Sequence, residues 1–205
     1  RKALEQEGCE IVFANDISER KRDLYAENFD ASVYKCCDIR DVQAVQMPDI
    51  DVATASFPCT DLSLAGNRAG LNGNASGVLG EFMRILQQMY DRRPGVVMLE
   101  NVPGFLTSEN GADLSRTIAA LNTLGYRCDL LKLDARWFVP HSRQRLFVLA
   151  TRMLEGPSTV PPSSVVRPQD LIDFIGTHMD LRWQFLKLPN PPIATMPLSS
   201  LIESF

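Results

Sequence analysis

"GVVMLEN", residues 95–101, is an apolar run that ends abruptly in a carboxylate and an amide. Val96, Val97, Met98 and Leu99 do not alternate with polar residues. Such a run reads as a strand covered on both faces, the habit of a parallel sheet rather than of a half-exposed antiparallel one. Pro94-Gly95 closes the helical pattern "LGEFMRILQQMYDRR" just before it, and "ADLSRTIAALNTLG" after it is a second helix ending at Gly125. The alternation extends in both directions. "EIVFAND", "SVYKCCD" and "DVATASF" read as earlier strands, and "SERKRDLYAENF" as a helix with Ser18 as N-cap. "YRCDLLKLDA" and "RLFVLAT" read as later strands. The expectation is an α/β fold with a doubly wound, mostly parallel sheet.

Composition narrows the class. The 205 residues suit one domain or one domain plus part of another, and 45% hydrophobic residues can bury a real core. No apolar run is long enough to cross a membrane, and the opening segment is too polar for a signal peptide. The five cysteines show no CxxC and no secreted-type framework, which points to free thiols in a reducing, cytoplasmic setting. His141 and His178 are the only imidazoles, so no metal site is expected. A net charge of −4 argues against a nucleic-acid coat but not against a local basic cleft. Residues 1–152 form the expected main domain. "GPSTVPPSSVVRP" reads as a linker opening a second region over 153–205, in which "QDLIDFIG" is one short helix. Both ends of the chain read as cut.

Ligands of an open parallel sheet bind beyond the carboxyl ends of its strands. Here those ends carry Asp16, Asp38, Cys59 and the pair Glu100-Asn101. In "SFPCTDLSLAG", residues 56–66, Cys59 stands just past its strand after Pro58, where a packing cysteine would not. A carboxylate in the place of Asp16 can accept both hydroxyls of an adenosine ribose, or it can cap the following helix. Asp38 could accept from an adenine amino group. Glu100, beside "VVML", suits proton donation to a ring nitrogen, or simple anchoring by backbone amides. In "VPHSRQRLF", Arg143 and Arg145 share a face if extended, and a pair of guanidiniums grips a phosphate or a carbonyl oxygen. An exposed charged face is the plain alternative. The glycines of "GLNGNASGVLG" suit a mobile lid rather than a phosphate cradle.

"FPC" with "LS" three residues on, then "LENV", then "SRQR" after Val-Pro, resembles the DNA cytosine-5 methyltransferases in order and spacing. The resemblance covers roughly residues 1–150, with an echo from Trp183 onward. It implies a Rossmann-like S-adenosylmethionine-dependent methyltransferase fold. Cys59 then resembles the nucleophile, and Glu100 the acid that holds ring nitrogen 3 of cytosine. Arg145 resembles the contact to the cytosine carbonyl oxygen, with Arg143 beside it. Ser63 and Asn101 fall in blocks that meet DNA, and Asn101 also braces its turn. Asp16, Ile17, Asp38, Ile39, Pro58 and Leu79 fall where the family holds S-adenosylmethionine. The implied partner is duplex DNA with a flipped-out cytosine, and a cognate restriction endonuclease is a further expectation, as is association with a bacterial nucleoid.

The pattern also departs from the family. Thr60 and His141 stand where glutamine is frequent, and Ala75 where an arginine is. The family's first glycine-rich turn, its closing block and most of its target recognition region are not found, residues 153–205 being expected to give only a linker and the start of that region. The chain alone is therefore expected to bind cofactor weakly and to lack sequence-specific methylation. An RNA cytosine methyltransferase, a non-catalytic binding remnant, and a cysteine hydrolase using Cys59 with His141 remain open at this point.

Overall fold

The computed structural model describes residues 1–58, 77–152 and 159–192. Helix α1 (Lys2–Gln6) leads into strand β1 (Ala14–Asp16), helix α2 (Glu19–Asn28) and strand β2 (Tyr34–Cys36). Strand β3 (Val52–Ser56), helix α3 (Val78–Gln88), strand β4 (Val96–Asn101) and helix α4 (Ala112–Thr123) follow. Strands β5 (Arg127–Asp134) and β6 (Gln144–Thr151) and helix α5 (Gln169–Thr177) complete the order. Each expected helix and strand is present. Ser18 caps α2 by accepting from the Lys21 amide, and Gly125 follows α4 at a φ of +93°, which a side chain would strain. The expected first strand over 10–16 shrinks to three residues.

The described strands fall into two sheets. One is β1-β2, parallel; the other has the order β3-β4-β6-β5. Its β3-β4 pair is parallel, whereas β6 runs antiparallel to both β4 and β5. The sheet is therefore mixed, with β4 flanked by a parallel neighbour, β3, and an antiparallel one, β6. Between β1 and β3 runs a trough of about 1170 Å3. Beside it β3 is only half covered, with Val52, Thr54 and Ser56 exposed, although the strand itself is regular.

One core joins the β3–β6 sheet to its helices. Leu79, Met83 and Leu86 of α3 and Leu114, Ile118 and Leu121 of α4 meet Val97, Leu99, Leu130 and Val148 of the strands. Each such fully buried side chain contributes roughly 1.5–3 kcal/mol. A second cluster, Val42, Ala44, Met47, Ile85 and Met89, ties the segment after β2 to α3. Two α3-side guanidiniums reinforce it: Arg84 donates to the Val42 carbonyl at 2.9 Å and Arg92 to the Ala44 carbonyl at 2.8 Å.

The segment read as a linker and the start of a second region packs on this same core. Leu171, Phe174 and Ile175 of α5 and the fully buried Trp183 are core members. A buried ion pair fastens the segment to β5. Arg167 Nε donates to Asp129 Oδ1 at 2.9 Å, and a second guanidinium nitrogen bonds Asp129 Oδ2. The Leu186 amide also donates to that carboxylate at 2.9 Å. Neither proline content nor charge pattern reveals this docking, because the pair joins residues 38 apart in sequence. Removing one partner of a buried pair leaves a charge without compensation. Arg167→Ala is expected to lower unfolding stability by about 3–5 kcal/mol, read as a lower midpoint in urea denaturation. An unchanged midpoint would show that the pair does not hold the segment.

Candidate active site

The carboxyl ends of β3 and β4 lie side by side, because the two strands are parallel and Ser56 pairs with Glu100. The chain leaves β3 through buried Phe57 and exposed Pro58. Asn101, 5% exposed, fixes this exit: its Nδ2 donates to the Phe57 carbonyl at 3.0 Å, and its Oδ1 accepts from the Val102 amide at 2.8 Å. Phe57 also meets Phe105 edge to face, with ring centroids 5.7 Å apart. Asn101, expected to meet DNA, thus has both ends of its amide bonded to the backbone.

Glu100 and Arg145 come together from different strands. Arg145 Nε lies 2.7 Å from Glu100 Oε1, and both side chains are about a quarter exposed or less, at 20% and 27%. Glu100 sits opposite Phe147 in the antiparallel β4-β6 register, so Arg145 is its diagonal neighbour on the same face. With Arg143, Asn101, Val102, Phe57 and Pro58, this pair lines a cavity of about 200 Å3. Sequence reading placed Glu100 against apolar surface; the structure gives it a cationic partner, which only the β6 register reveals.

The six residues expected to hold cofactor also converge. Asp16, Ile17, Asp38, Ile39, Pro58 and Leu79 all line the large trough. Leu79 forms part of its buried wall and Ile17 its exposed rim. Asp16 Oδ1 accepts from the Ser18 amide at 2.9 Å, and Oδ2 lies 2.6 Å from Lys21 Nζ. Partial burial works to raise the Asp16 pKa, but the Lys21 ammonium and the Ser18 amide outweigh it and hold the carboxyl below its ordinary value. Asp38 is similarly engaged: its Oδ1 accepts from the Arg40 amide at 2.9 Å, and Arg40 Nη1 lies 3.4 Å from Oδ2. Lys21 and Arg40 were missed in the sequence, although each stands within five residues of its acid. The carboxylates keep lone pairs for further donors, and the trough exceeds the roughly 300–1,000 Å3 of ordinary small-molecule sites. The residues present therefore fit a nucleoside, with carboxylate acceptors beside apolar walls.

Cys59 and Ser63 lie outside the described residues, as does the glycine-rich stretch up to Ser76. His141 is exposed on the β5-β6 loop. Among the described residues no group of His, Cys, Asp and Glu is arranged to hold a metal, and no helix is long and apolar enough to span a membrane.

The sequence model of the C-5 cytosine-specific DNA methylases matches residues 1–188. The chain belongs to this family. The type II methyltransferase M.Bsp6I of Bacillus sp. strain RFL6 is 33% identical over 155 residues, 74% of this chain and 48% of its own length. M.MspI of Moraxella is 32% identical over 151 residues, 73% of this chain and 35% of its own. The chain thus spans about half the length of these relatives or less. Among solved structures, the Dnmt2 methyltransferase of S. pombe superposes with a TM-score of 0.60 at 25% identity, over 76% of this chain and 47% of that one.

The Asn101 brace is directly testable. Asn101→Ala leaves the Phe57 carbonyl without its donor, a loss of roughly 1–3 kcal/mol for a buried polar group. The Val102 amide is expected to exchange its hydrogen on the order of tenfold faster or more, read by hydrogen–deuterium exchange. Unchanged exchange at Val102 would show that the strand end holds itself.

Proposed function

We propose that this member of the C-5 cytosine-specific DNA methylases carries the site at which carbon 5 of a DNA cytosine is methylated, with S-adenosylmethionine as donor. The observation that supports this most is the small cavity in which the Glu100 carboxyl and the Arg145 guanidinium meet beside Pro58, one residue before Cys59.

Carbon 5 of cytosine is a weak nucleophile. In the proposed reaction the Cys59 thiolate adds to carbon 6 and forms a sulfur–carbon bond. The carbon 5–carbon 6 π pair moves to form a carbon 4–carbon 5 double bond. The carbon 4–nitrogen 3 π pair moves onto nitrogen 3, which takes a proton from Glu100 in its protonated form. The product is an enamine, electron-rich at carbon 5. Only the thiolate is an effective nucleophile, and a free cysteine has a pKa of about 8.5, so a cationic neighbourhood such as Arg143 and Arg145 favours the reactive form. Arg145 serves twice, holding Glu100 in reach and donating to the cytosine carbonyl oxygen in charge-assisted fashion. Asn101 holds the Phe57 end of the β3 exit against β4, two residues before Cys59 in sequence.

In the trough, Asp16 and Asp38 would accept from the ribose and adenine of S-adenosylmethionine, with Ile17, Ile39 and Leu79 as apolar lining, and the bound group would supply an electrophilic methyl. Pro58 lines both the trough and the small cavity, so the two sites adjoin at the β3 exit. The enamine pair forms the carbon 5–methyl bond as the methyl–sulfur bond breaks and its pair stays on the departing thioether. Nitrogen 3 then returns its proton to Glu100, and the carbon 5 proton leaves to a base. Its pair re-forms the carbon 5–carbon 6 double bond, and the sulfur–carbon 6 bond breaks to release the Cys59 thiolate. The target base is beyond reach inside a duplex, and extruding it costs on the order of a few kcal/mol. The type II names of the relatives make a companion restriction endonuclease part of this proposal.

The test uses the protein that carries this chain. Glu100→Gln keeps the shape and removes the acid. Turnover on cytosine-containing duplex DNA is expected to fall on the order of 10²–10⁴-fold, with DNA affinity little changed. Cys59→Ser is expected to abolish turnover while leaving S-adenosylmethionine affinity intact in calorimetry. Equal loss of turnover and affinity in Glu100→Gln would make Glu100 a structural residue. Methylation of transfer RNA but not of duplex DNA would move the substrate class to RNA.

A further inference from the structure

Asp134 ends β5 and is almost wholly enclosed, at 2% exposure, although the loop it introduces is open to solvent. Its two oxygens take four donors, all from that loop. Oδ1 accepts from the Arg136 amide at 3.0 Å and from the Arg143 amide at 2.9 Å. Oδ2 accepts from the Ser142 hydroxyl at 3.1 Å and lies 3.3 Å from Arg136 Nε. The Ala135 amide closes the loop by donating to the Arg143 carbonyl at 3.2 Å. The Arg136 amide, the Arg143 amide, the Ser142 hydroxyl and the Arg136 charge together hold the Asp134 carboxyl below its ordinary pKa, against the opposing effect of burial.

A buried carboxylate needs its lone pairs satisfied whatever its role; what distinguishes Asp134 is where its bonds go. Here they converge on its two ends, and the far end is Ser142-Arg143. Arg143 lines the small cavity with Glu100, and Arg145, two residues later at the start of β6, lines it too. Eight residues separate Asp134 from Arg143, a length that on its own leaves the loop end with many conformations. Sequence reading passed over Asp134, whose position at a strand end resembles an ordinary turn opening.

We propose that Asp134 is a positioning residue that fixes the backbone at Arg143 and so aims the Arg143 side of the cavity at the substrate base. This rests on the function proposed above. Charge-assisted bonds to the carboxylate make the loop end rigid before substrate arrives, and misplacement of a catalytic group by about 1 Å can cost on the order of 10² in rate. Asp134 touches neither substrate nor cofactor in this account. It acts through the backbone of Arg143.

The test compares Asp134→Ala, Asp134→Asn and Ser142→Ala in the protein that carries this chain. In Asp134→Asn the side-chain carbonyl can still accept both backbone amides. Asp134→Ala is expected to lose hydrogen-exchange protection at the Arg136 and Arg143 amides and to lower kcat on cytosine duplexes by on the order of 10²-fold. S-adenosylmethionine affinity should not move, because Asp134 does not line the trough. Asp134→Asn is expected to restore protection and most of kcat, and Ser142→Ala to show a smaller loss in the same direction. A fall of kcat and cofactor affinity together, or an Asp134→Asn protein as impaired as Asp134→Ala, would overturn the proposal. Should Asp134→Ala not fold, the Asp134→Asn and Ser142→Ala proteins decide by the same readouts. Exchange at Arg143 needs no turnover, so a wild type that methylates no cytosine would defeat the proposed function while the loop measurement still stands apart.

Discussion

The pairing of Glu100 with Arg145 depends on a register, and the candidate site depends on the pairing. β4 carries a parallel neighbour on one side and an antiparallel one on the other. The parallel neighbour brings Pro58 to the Glu100 end. The antiparallel neighbour brings Arg145 there from the opposite direction along the chain. A slip of one residue between β4 and β6 would turn Arg145 to the other face of the sheet. Their ion pair is partly open to water, so it adds little to stability. Its value lies in orientation, since it holds a carboxyl and a guanidinium in one small cavity at 2.7 Å.

Around that pair the backbone is restrained by buried polar side chains more than by loop packing. Asn101 ties β4 to the exit of β3, and Asp134 gathers both ends of the β5-β6 loop. Asp129 with Arg167 fastens the later segment behind β5. All three lie in or at the ends of strands, where the backbone is already fixed, so each can fix a neighbouring irregular segment with well-aimed bonds. The trough is organised differently. Its acids, Asp16 and Asp38, are satisfied locally by Ser18, Lys21 and Arg40, and they stand at the rim of a wide apolar cleft.

Much of this was legible in the sequence. Periodicity located α3, α4 and α5, and Ser18 announced the start of α2. Apolar runs ending in polar residues marked β3 and β4, and the six positions expected to hold cofactor do line one trough. What escaped has a common physical cause, which is pairing between distant residues. Nothing local in "RLFVLAT" tells that it lies between β4 and β5 and antiparallel to both. Without that register Glu100 has no visible cation. The proline-rich tail looks independent until Arg167 meets Asp129 and Trp183 enters the core. The division of the strands into two sheets flanking a trough was hidden too, because β1 and β3 carry ordinary strand sequences and differ only in what lies beside them.

The central claim is that the strand tip at Pro58 presents a nucleophile to a base seated beside Glu100 and Arg145. A duplex carrying 5-fluorocytosine tests it most directly, because fluorine at carbon 5 cannot leave as a proton does and the adduct persists. The protein would be incubated with this duplex and S-adenosylmethionine, denatured, digested, and its DNA-linked peptide mapped by mass spectrometry. The account predicts one linked peptide, with the bond on Cys59. Absence of any adduct, or attachment at Cys36 or Cys37, would contradict it.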